Sequence, residues 1–298
     1  DQPPIELYKP AIPDLRQKQN AEPLSDFFYE TLEDVQKKQD WYVEFLIEND
    51  AERLGFVGKF KNIVSVDADI IAEDIRKTLN LPINLNTRTS RENYLKLLIA
   101  RCENVGILVF KNSIVKYATK KTLDTNEFRG FVLSNEYAPV VFLNGRDMPS
   151  AMIFTLAHEL AHIWLGESGV DDLDIYGNNP TEVLCNKIAA SVLISKKEFD
   201  EAWEWYNQNI STIANIFHVS ELMVARLALT YKKITQMDYQ LIHDAEKEAF
   251  KSKPKKDGSP SFLRLVPGRN SPLLTKAVVG QAMSGNILLR DAGRLLNV

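Results

Sequence analysis

The residues of this chain that could do chemistry are concentrated at residues 154–164, a segment that contains His158-Glu159-x-x-His162. On an α-helix, residues four positions apart lie on the same face, so His158 and His162 can offer two imidazole nitrogens to one metal ion. Glu159 would lie one position round the helix, within reach of a metal-bound water. The spacing therefore predicts that a single helical turn supplies two ligands and the general base of a zinc peptidase.

The residues that flank this motif are apolar, which predicts a buried helix. Two imidazoles and a carboxylate are costly to bury without partners, and a metal ion removes that cost. The alternative, in which the three polar side chains form a solvated helix face, fits this apolar setting poorly. The flanking residues are Met152, Ile153, Phe154, Leu156, Ala157, Ile163, Trp164 and Leu165.

A zinc peptidase needs a third protein ligand and leaves the fourth position for water. Glu182 lies in the first turn of a predicted helix, with Asn179 as its N-cap and Pro180 as its first residue. Asn186, one turn further on the same face, is placed to hold a ligand histidine through its second ring nitrogen. Two alternatives remain open. In the first, Glu182 does not bind metal and is simply a glutamate that the helix dipole favours in a first turn. In the second, the third ligand comes from the predicted loop between the helices, where the candidates are Glu167, Asp171, Asp172 and Asp174.

The residues of both helices resemble a known family. Residues 154–162 (Phe-Thr-Leu-Ala-His-Glu-Leu-Ala-His), followed by residues 182–190 (Glu-x-x-Cys-Asn-x-x-Ala-Ala), look like the ImmA/IrrE metallo-endopeptidases. The similarity continues through residues 128–131, 139–144 and 219–227. It covers the middle of the chain well and both flanks more loosely.

This resemblance implies a bacterial or mobile-element protease with Zn²⁺ held by His158, His162 and Glu182 and with Glu159 as general base. Members of the family act on a helix-turn-helix transcriptional repressor and release a set of genes in stress, phage or mobile-element responses. The expected function is therefore site-specific cleavage of such a repressor. The alternative is a DNA- or protein-binding regulator, or a toxin–antitoxin component, with a structural or vestigial zinc site. The intact Glu159 argues against a vestigial site.

Composition excludes several other classes. The chain has 298 residues, of which 45% are hydrophobic and 26% charged, with a net charge of −4, as is typical of a globular protein with an ample core. Its two cysteines, Cys102 and Cys185, cannot form a disulfide framework and suit a reducing cytoplasm; Cys185 is interpreted as a core residue rather than a ligand. With no signal peptide and no apolar run approaching about 18 residues, we expect neither secretion nor a membrane partner.

The predicted fold class is α+β. The chain is mainly helical, and a small antiparallel sheet, with strands at residues 105–110, 128–133 and 138–143, packs on a zincin-like pair of helices. An edge of this sheet could pair with an extended peptide substrate. Helical extensions lie at both ends. The predicted organisation is a Pro-rich arm (1–23), a helical accessory domain (24–104), the metallopeptidase domain (105–250), a linker (251–261) and a C-terminal segment docked on the core (262–298).

Residues 213–227 predict a helix, a turn and a second helix capped by Ser220. Such a unit could place Arg226, Lys232 and Lys233 on DNA phosphates. The family resemblance points instead to helices that pack against the zinc helices, so direct DNA contact is the less favoured interpretation. The sequence offers three weak candidates for a donor that stabilises the transition state: His218, Tyr176 and Tyr231.

Overall fold

The structure, a computed structural model, describes residues 23–61, 63, 67–81, 89–171, 179–252 and 269–298. All but one residue of the predicted arm, most of the predicted linker, and Tyr176, Asp172 and Asp174 lie outside these residues. The α+β class is confirmed, with a mainly helical chain and one small sheet. The strands are β1 (Leu108–Asn112), β2 (Gly130–Leu133), β3 (Val140–Asn144) and β4 (Gly169–Asp171).

The helices among the described residues mostly begin at residues with a capping side chain. The predicted caps Ser25, Ser90, Asn179 and Ser220 each accept a hydrogen bond from a backbone N–H of the first turn, as helix N-termini require. The helices are α1 (Asp26–Glu48), α2 (Ala68–Thr78), α3 (Arg91–Asn104), α4 (Pro149–Leu165), α5 (Pro180–Leu193), α6 (Lys196–Trp205), α7 (Ile210–Ile216), α8 (Glu221–Thr230), α9 (Gln236–Ser252), α10 (Pro272–Met283) and α11 (Leu289–Leu296).

The sheet is mixed, so the prediction of an antiparallel sheet was wrong. The strand order is β1-β3-β2-β4, with β1 parallel to β3 and the other two pairs antiparallel. The reason is topological. The long connection at residues 113–129 leads to β2, which runs opposite to β1 and one position away from it, and residues 134–139 then turn the chain back so that β3 enters between them, parallel to β1. Strand β4 falls in the segment predicted as a loop, and it is too short to show an alternating pattern.

Both faces of the sheet are buried, and successive strand residues point to opposite faces. On one face, Val109, Val132, Val141 and Leu143 pack in a cluster with residues from α2 to α8. On the other, residues that include Phe110, Phe131 and Phe142 pack against α1, α10 and α11. The helix that carries the His-Glu-x-x-His motif therefore lies in one helical layer, and the N- and C-terminal helices form a second layer on the opposite face.

Helix α2 joins this first layer through two partly buried polar links. The hydroxyl of Ser191 in α5 donates to Asp69 Oδ1 at 2.6 Å. The guanidinium of Arg76 forms a bidentate salt bridge with the carboxylate of Glu198 in α6, with N–O distances of 2.6 and 2.7 Å. Burial raises the pKa of Glu198, but hydrogen bonds from Arg76 and Ser195 lower it more, so its pKa lies below the ordinary value of 4.5.

We expect the substitution Glu198→Gln to lower the free energy of unfolding by about 3 kcal/mol near neutral pH, because it leaves the buried Arg76 without its counter-charge. A glutamine can keep the capping box with Ser195. Since Glu198 has a lowered pKa when folded, its contribution is present above 4.5 and is lost as the pH falls through the folded value. Urea unfolding across this range should therefore show the difference from wild type shrinking in acid. Glu201→Gln, an exposed change on the same helix, is the control. A difference independent of pH would contradict the expectation.

One buried carboxylate forms hydrogen bonds between the C-terminal segment and the middle of the chain. Glu103, at the end of α3, is 5% exposed. Its Oε1 accepts from the backbone N–H of Val109 at 2.7 Å, and its Oε2 accepts from Ser271 Oγ and from the backbone N–H of Leu273, both at 2.9 Å. Ser271 in turn caps α10. One side chain therefore joins α3, β1 and the first turn of α10.

We expect Glu103→Ala to cost about 3 kcal/mol of stability, because three buried donors lose their acceptor. The loss should be largest for α10, whose first turn Glu103 contacts. Hydrogen–deuterium exchange should show that the variant raises the amide exchange rate more in residues 270–283 than in α4. Glu73→Ala, the same change at an exposed position of α2, provides the control. Equal protection of α10 in both variants would show that Glu103 does not hold the segment.

Among the described residues, no single helix has the length and apolar character needed to cross a membrane. Only α7 and α8 taken together meet that test, and they are bent by 112° relative to each other.

Candidate metal centre

Two consecutive helices in the chain build the centre. Helix α4 begins with Pro149 at its first position and ends at Gly166, which adopts the left-handed conformation (φ 72°) that closes a helix. Within it, His158, Glu159 and His162 are all 0% exposed. Helix α5 begins after Asn179, whose side chain accepts from the Thr181 N–H, and this brings Glu182, 1% exposed, into the first turn against α4.

The side chains of His158, His162 and Glu182 converge. His158 Nε2 lies 3.1 Å from Glu182 Oε2, and His162 Nε2 lies 3.4 Å from Glu182 Oε1. The two Nε2 atoms are themselves 3.1 Å apart. Within the part of the chain that the structure describes, these three residues are the one group of histidine, cysteine, aspartate or glutamate side chains arranged to hold a metal ion. The structure therefore brings together the three ligands that the sequence predicts.

The spacing of these donors fits a metal ion. Four ligand atoms arranged tetrahedrally at about 2.0–2.1 Å from Zn²⁺ lie about 3.3 Å from one another. The observed separations of 3.1 to 3.4 Å match this value. Two imidazole nitrogens and a carboxylate are also the donor types that zinc prefers, and they occupy three positions of a site that would keep its fourth open. The residues present therefore suit a catalytic type of zinc site.

The electrostatics of the cluster favour a bound cation. Burial raises the pKa of Glu182, but hydrogen bonds and charge from His158 and His162 lower it more, so its pKa falls to about 2. Glu182 is therefore ionised at neutral pH in an interior where a lone carboxylate would be costly. The negative charge that attracts protonated imidazoles can equally attract a metal ion.

The second nitrogen of each ligand histidine also has a neighbour. His158 Nδ1 lies 3.0 Å from Asn186 Oδ1, on the face of α5 that the sequence predicts. His162 Nδ1 lies 3.7 Å from the sulfur of Cys185 and 3.5 Å from Glu167 Oε2. The sequence analysis missed the contact of Cys185, although its position three residues after Glu182 was a signal. Glu167, named above as a rival ligand, faces the opposite side of the His162 ring from Glu182.

Glu159 lies where α4 and β2 come closest. A methyl group added to Gly130 would lie 2.6 Å from Thr155 Cγ2, 2.8 Å from the backbone oxygen of Phe142 and 3.0 Å from Glu159 Oε1. Only glycine lets the strand approach the helix this closely. The strand therefore forms one wall beside the Glu159 carboxylate.

The remaining candidates lie in other packing environments. The ring of His218 packs on Tyr94 with centroids 4.8 Å apart, and burial together with the charge of Arg91 lowers its pKa. Tyr231 packs against the ring of Phe199, with Lys196 Nζ 5.2 Å from its centroid. The transition-state roles suggested for them, and for Tyr176 outside the described residues, stay predictions.

The predicted helix–turn–helix corresponds to α7 and α8. Half of the residues of α8 are buried, namely Met223, Val224, Ala225, Leu227 and Ala228. The guanidinium of Arg226 lies over the ring of Tyr239, 5.7 Å from its centroid, and Lys233 pairs with Asp200 at 3.1 Å. Two of the three cations proposed for phosphates are therefore engaged within the chain. The second helix packs in the core, as the resemblance implied.

An α+β fold with two histidines of His-Glu-x-x-His on one helix and a glutamate on the next defines a metallopeptidase-type centre. Comparison with known families agrees, because residues 102–229 match peptidase family M78, the IrrE N-terminal-like domain. Residues 102–229 thus form a domain of the ImmA/IrrE metallopeptidase family. Residues 270–298 match a domain of unknown function, DUF8813.

Curated proteins and solved structures add no functional information. No curated protein matches the chain. Among solved structures, a Mycobacterium tuberculosis transcriptional regulator matches with a TM-score of 0.37 and 18% identity, covering 65% of this chain and 51% of that one. The chain spans about half the length of that structure, and a likeness at this level carries no statement of function.

We expect Gly130→Ala to destabilise the chain by about 2 kcal/mol, because the added methyl group would lie 2.6 Å from Thr155 Cγ2 of α4 and 2.8 Å from the backbone oxygen of Phe142 in β3. Gly280→Ala is a matched control: Gly280 lies within α10, and a methyl group there meets nothing within 4 Å. That change should instead stabilise the chain by about 0.5–1 kcal/mol, since alanine favours helix. Urea unfolding of both variants measures the two effects. A neutral Gly130→Ala would show that β2 does not press on α4.

Proposed function

We propose that this chain is a zinc-dependent endopeptidase. The observation that carries the proposal is the buried convergence of His158, His162 and Glu182 beside Glu159, within a domain of a metallopeptidase family. A purely structural zinc site is usually closed by four protein ligands and has no use for an adjacent carboxylate. Three ligands and a neighbouring Glu159 are what hydrolysis requires.

In the proposed reaction, His158 and His162 would hold the ion through their Nε2 atoms and Glu182 would hold it through its carboxylate. When bound, zinc supplies a Lewis acid that lowers the pKa of water and polarises the scissile carbonyl. Glu159 takes a proton from the attacking water and passes it to the leaving amine. The water oxygen thus becomes bonded to the carbonyl carbon, and the peptide C–N bond breaks.

We propose that the substrate binds as an extended strand along β4. Strand β4 is at the edge of the sheet and is paired, within the described residues, with β2 alone. Strand β2 carries Gly130, next to Glu159. A peptide that adds to this edge through main-chain hydrogen bonds would lie two strand spacings, about 10 Å, from β2, in the sheet against which α4 packs.

The proposed substrate is a helix-turn-helix transcriptional repressor, and the proposed setting is the bacterial cytoplasm. This rests on the family resemblance and on the two cysteines, which are free and buried. The alternative is a DNA- or protein-binding regulator, or a toxin–antitoxin component. It has less support, because Arg226 and Lys233 are engaged within the chain.

The test combines metal analysis with cleavage. The purified chain is analysed for zinc and incubated with the helix-turn-helix repressor encoded beside its gene, with and without a chelator. We expect one pair of fragments, lost on chelation and restored by Zn²⁺. Glu159→Gln should keep the metal and lower the cleavage rate by at least about 100-fold, since general acid–base catalysis contributes about that much.

Glu201→Gln, an exposed change of the same type, should cleave at the wild-type rate. Cleavage by Glu159→Gln at that rate would refute the role of Glu159. A stable, uncut complex between the zinc-loaded chain and the repressor would favour the regulator alternative over the peptidase.

A further inference from the structure

The two ligand histidines differ in what lies behind them. In each ring, Nε2 faces the ligand cluster and Nδ1 faces away from it. His158 Nδ1 meets the amide oxygen of Asn186 at 3.0 Å. His162 Nδ1 meets the sulfur of Cys185 at 3.7 Å, a usual distance for a hydrogen bond to sulfur.

The chemistry of a ligand imidazole gives this contact a consequence. A neutral histidine that offers the lone pair of Nε2 must carry its hydrogen on Nδ1, and the acceptor of that hydrogen fixes the tautomer and orientation of the ring. Because His162 and Cys185 are both 0% exposed, bulk water does not compete for this position. The sulfur atom is thus placed to accept the Nδ1–H of His162.

The position of Cys185 in α5 supports this role. Glu182, Cys185 and Asn186 stand at positions i, i+3 and i+4, which share one face of a helix. One turn of α5 thus offers a ligand and an acceptor for each of the two histidines. Any shift of α5 relative to α4 would move all three contacts together.

Glu167 is the other neighbour of His162 Nδ1, at 3.5 Å. It directly follows Gly166, the residue that ends α4, and its side chain is 42% exposed. A carboxylate is a stronger acceptor than a thiol, but an exposed one is solvated by water and gains less from the contact. Cys185 is held by a buried helix, so it is the more permanent partner.

We propose that Cys185 is a positioning residue that accepts the Nδ1–H of His162 and so holds this histidine for metal binding. The inference rests on the proposed function, in which the cluster binds zinc. Since sulfur is a weaker acceptor than the amide oxygen behind His158, His162 is the less firmly held of the two histidines. The affinity for the metal is therefore set in part at Cys185.

The experiment measures zinc affinity by competition with a chromogenic chelator. Cys185→Ala should bind zinc about 10-fold more weakly than wild type, as is usual when a partner of a ligand histidine is lost. Cys102→Ala is the matched control, because Cys102 is also 0% exposed and lies in the same buried cluster, on α3. It removes the same atoms and should leave zinc affinity unchanged. Cys185→Val, which keeps most of the volume but has no acceptor, should weaken binding like Cys185→Ala and covers the case in which the alanine variant fails to fold.

Two further readouts separate positioning from other roles. The ¹⁵N shift of Nδ1 of His162 in the zinc-loaded chain should change in Cys185→Ala and not in Cys102→Ala. With Co²⁺ in place of zinc, no sulfur-to-cobalt charge-transfer band should appear, because Cys185 is on the far side of the ring. A strong band would overturn the proposal by making Cys185 a ligand.

Glu167→Ala, which removes the carboxylate acceptor altogether, tests the second partner. It should change zinc affinity little in the wild-type chain and by a larger factor in the Cys185→Ala background, where Glu167 remains the acceptor. If wild type binds zinc and Cys185→Ala binds it equally well, the proposal for Cys185 fails while the proposed function stands. If wild type binds no zinc, both fail.

Discussion

Three electron-pair donors that are at most 1% exposed face one another across 3.1 to 3.4 Å, and the rest of the structure depends on keeping them there. Lone pairs this close repel unless a cation lies between them. With neither a proton nor a metal ion between the donors, this repulsion would act to separate α4 from α5. What opposes it is the apolar packing of the two helices, together with the contacts that other elements make with them.

Several elements help to keep α4 and α5 together. Helix α2 is bonded to α5 through Asp69 and Ser191 and to α6 through Arg76 and Glu198. On the other side, β2 approaches α4 at Gly130 without any side chain between them. The three ligand side chains therefore lie in a layer of helices that is fixed by α2 on one side and by the sheet on the other. The far face of this sheet is covered by further helices. Such a site is organised before a metal or a substrate arrives, which is a condition for catalysis by fixed groups.

The parts of this site that the sequence predicts are those set by local geometry. His158, Glu159 and His162 lie within one helical turn, so their spacing alone places them on a common patch. Glu182 and Asn186 follow from cap signals and from helical periodicity in a second helix. Contacts between distant segments were not predictable in this way. The insertion of β3 between β1 and β2, the pairing of β4, the approach of Gly130 and the contact of Cys185 with His162 all depend on how elements meet in space. Cys185 shows the limit most clearly, because its spacing from Glu182 was visible while its histidine partner was not.

The link from Glu103 to Ser271 and Leu273 has a consequence for how the chain is made. Synthesis runs from the N-terminus, so all of the metal-binding helices leave the ribosome well before α10 and α11 exist. Until then, the far face of the sheet, which carries Phe110 and Phe142, has α1 packed on it but not α10 or α11, and the Glu103 carboxylate lacks two of its three donors. Helices α10 and α11 thus complete the layer behind the sheet only after the metal-binding helices have been made, and this ordering delays the fully packed fold until those two helices have been translated.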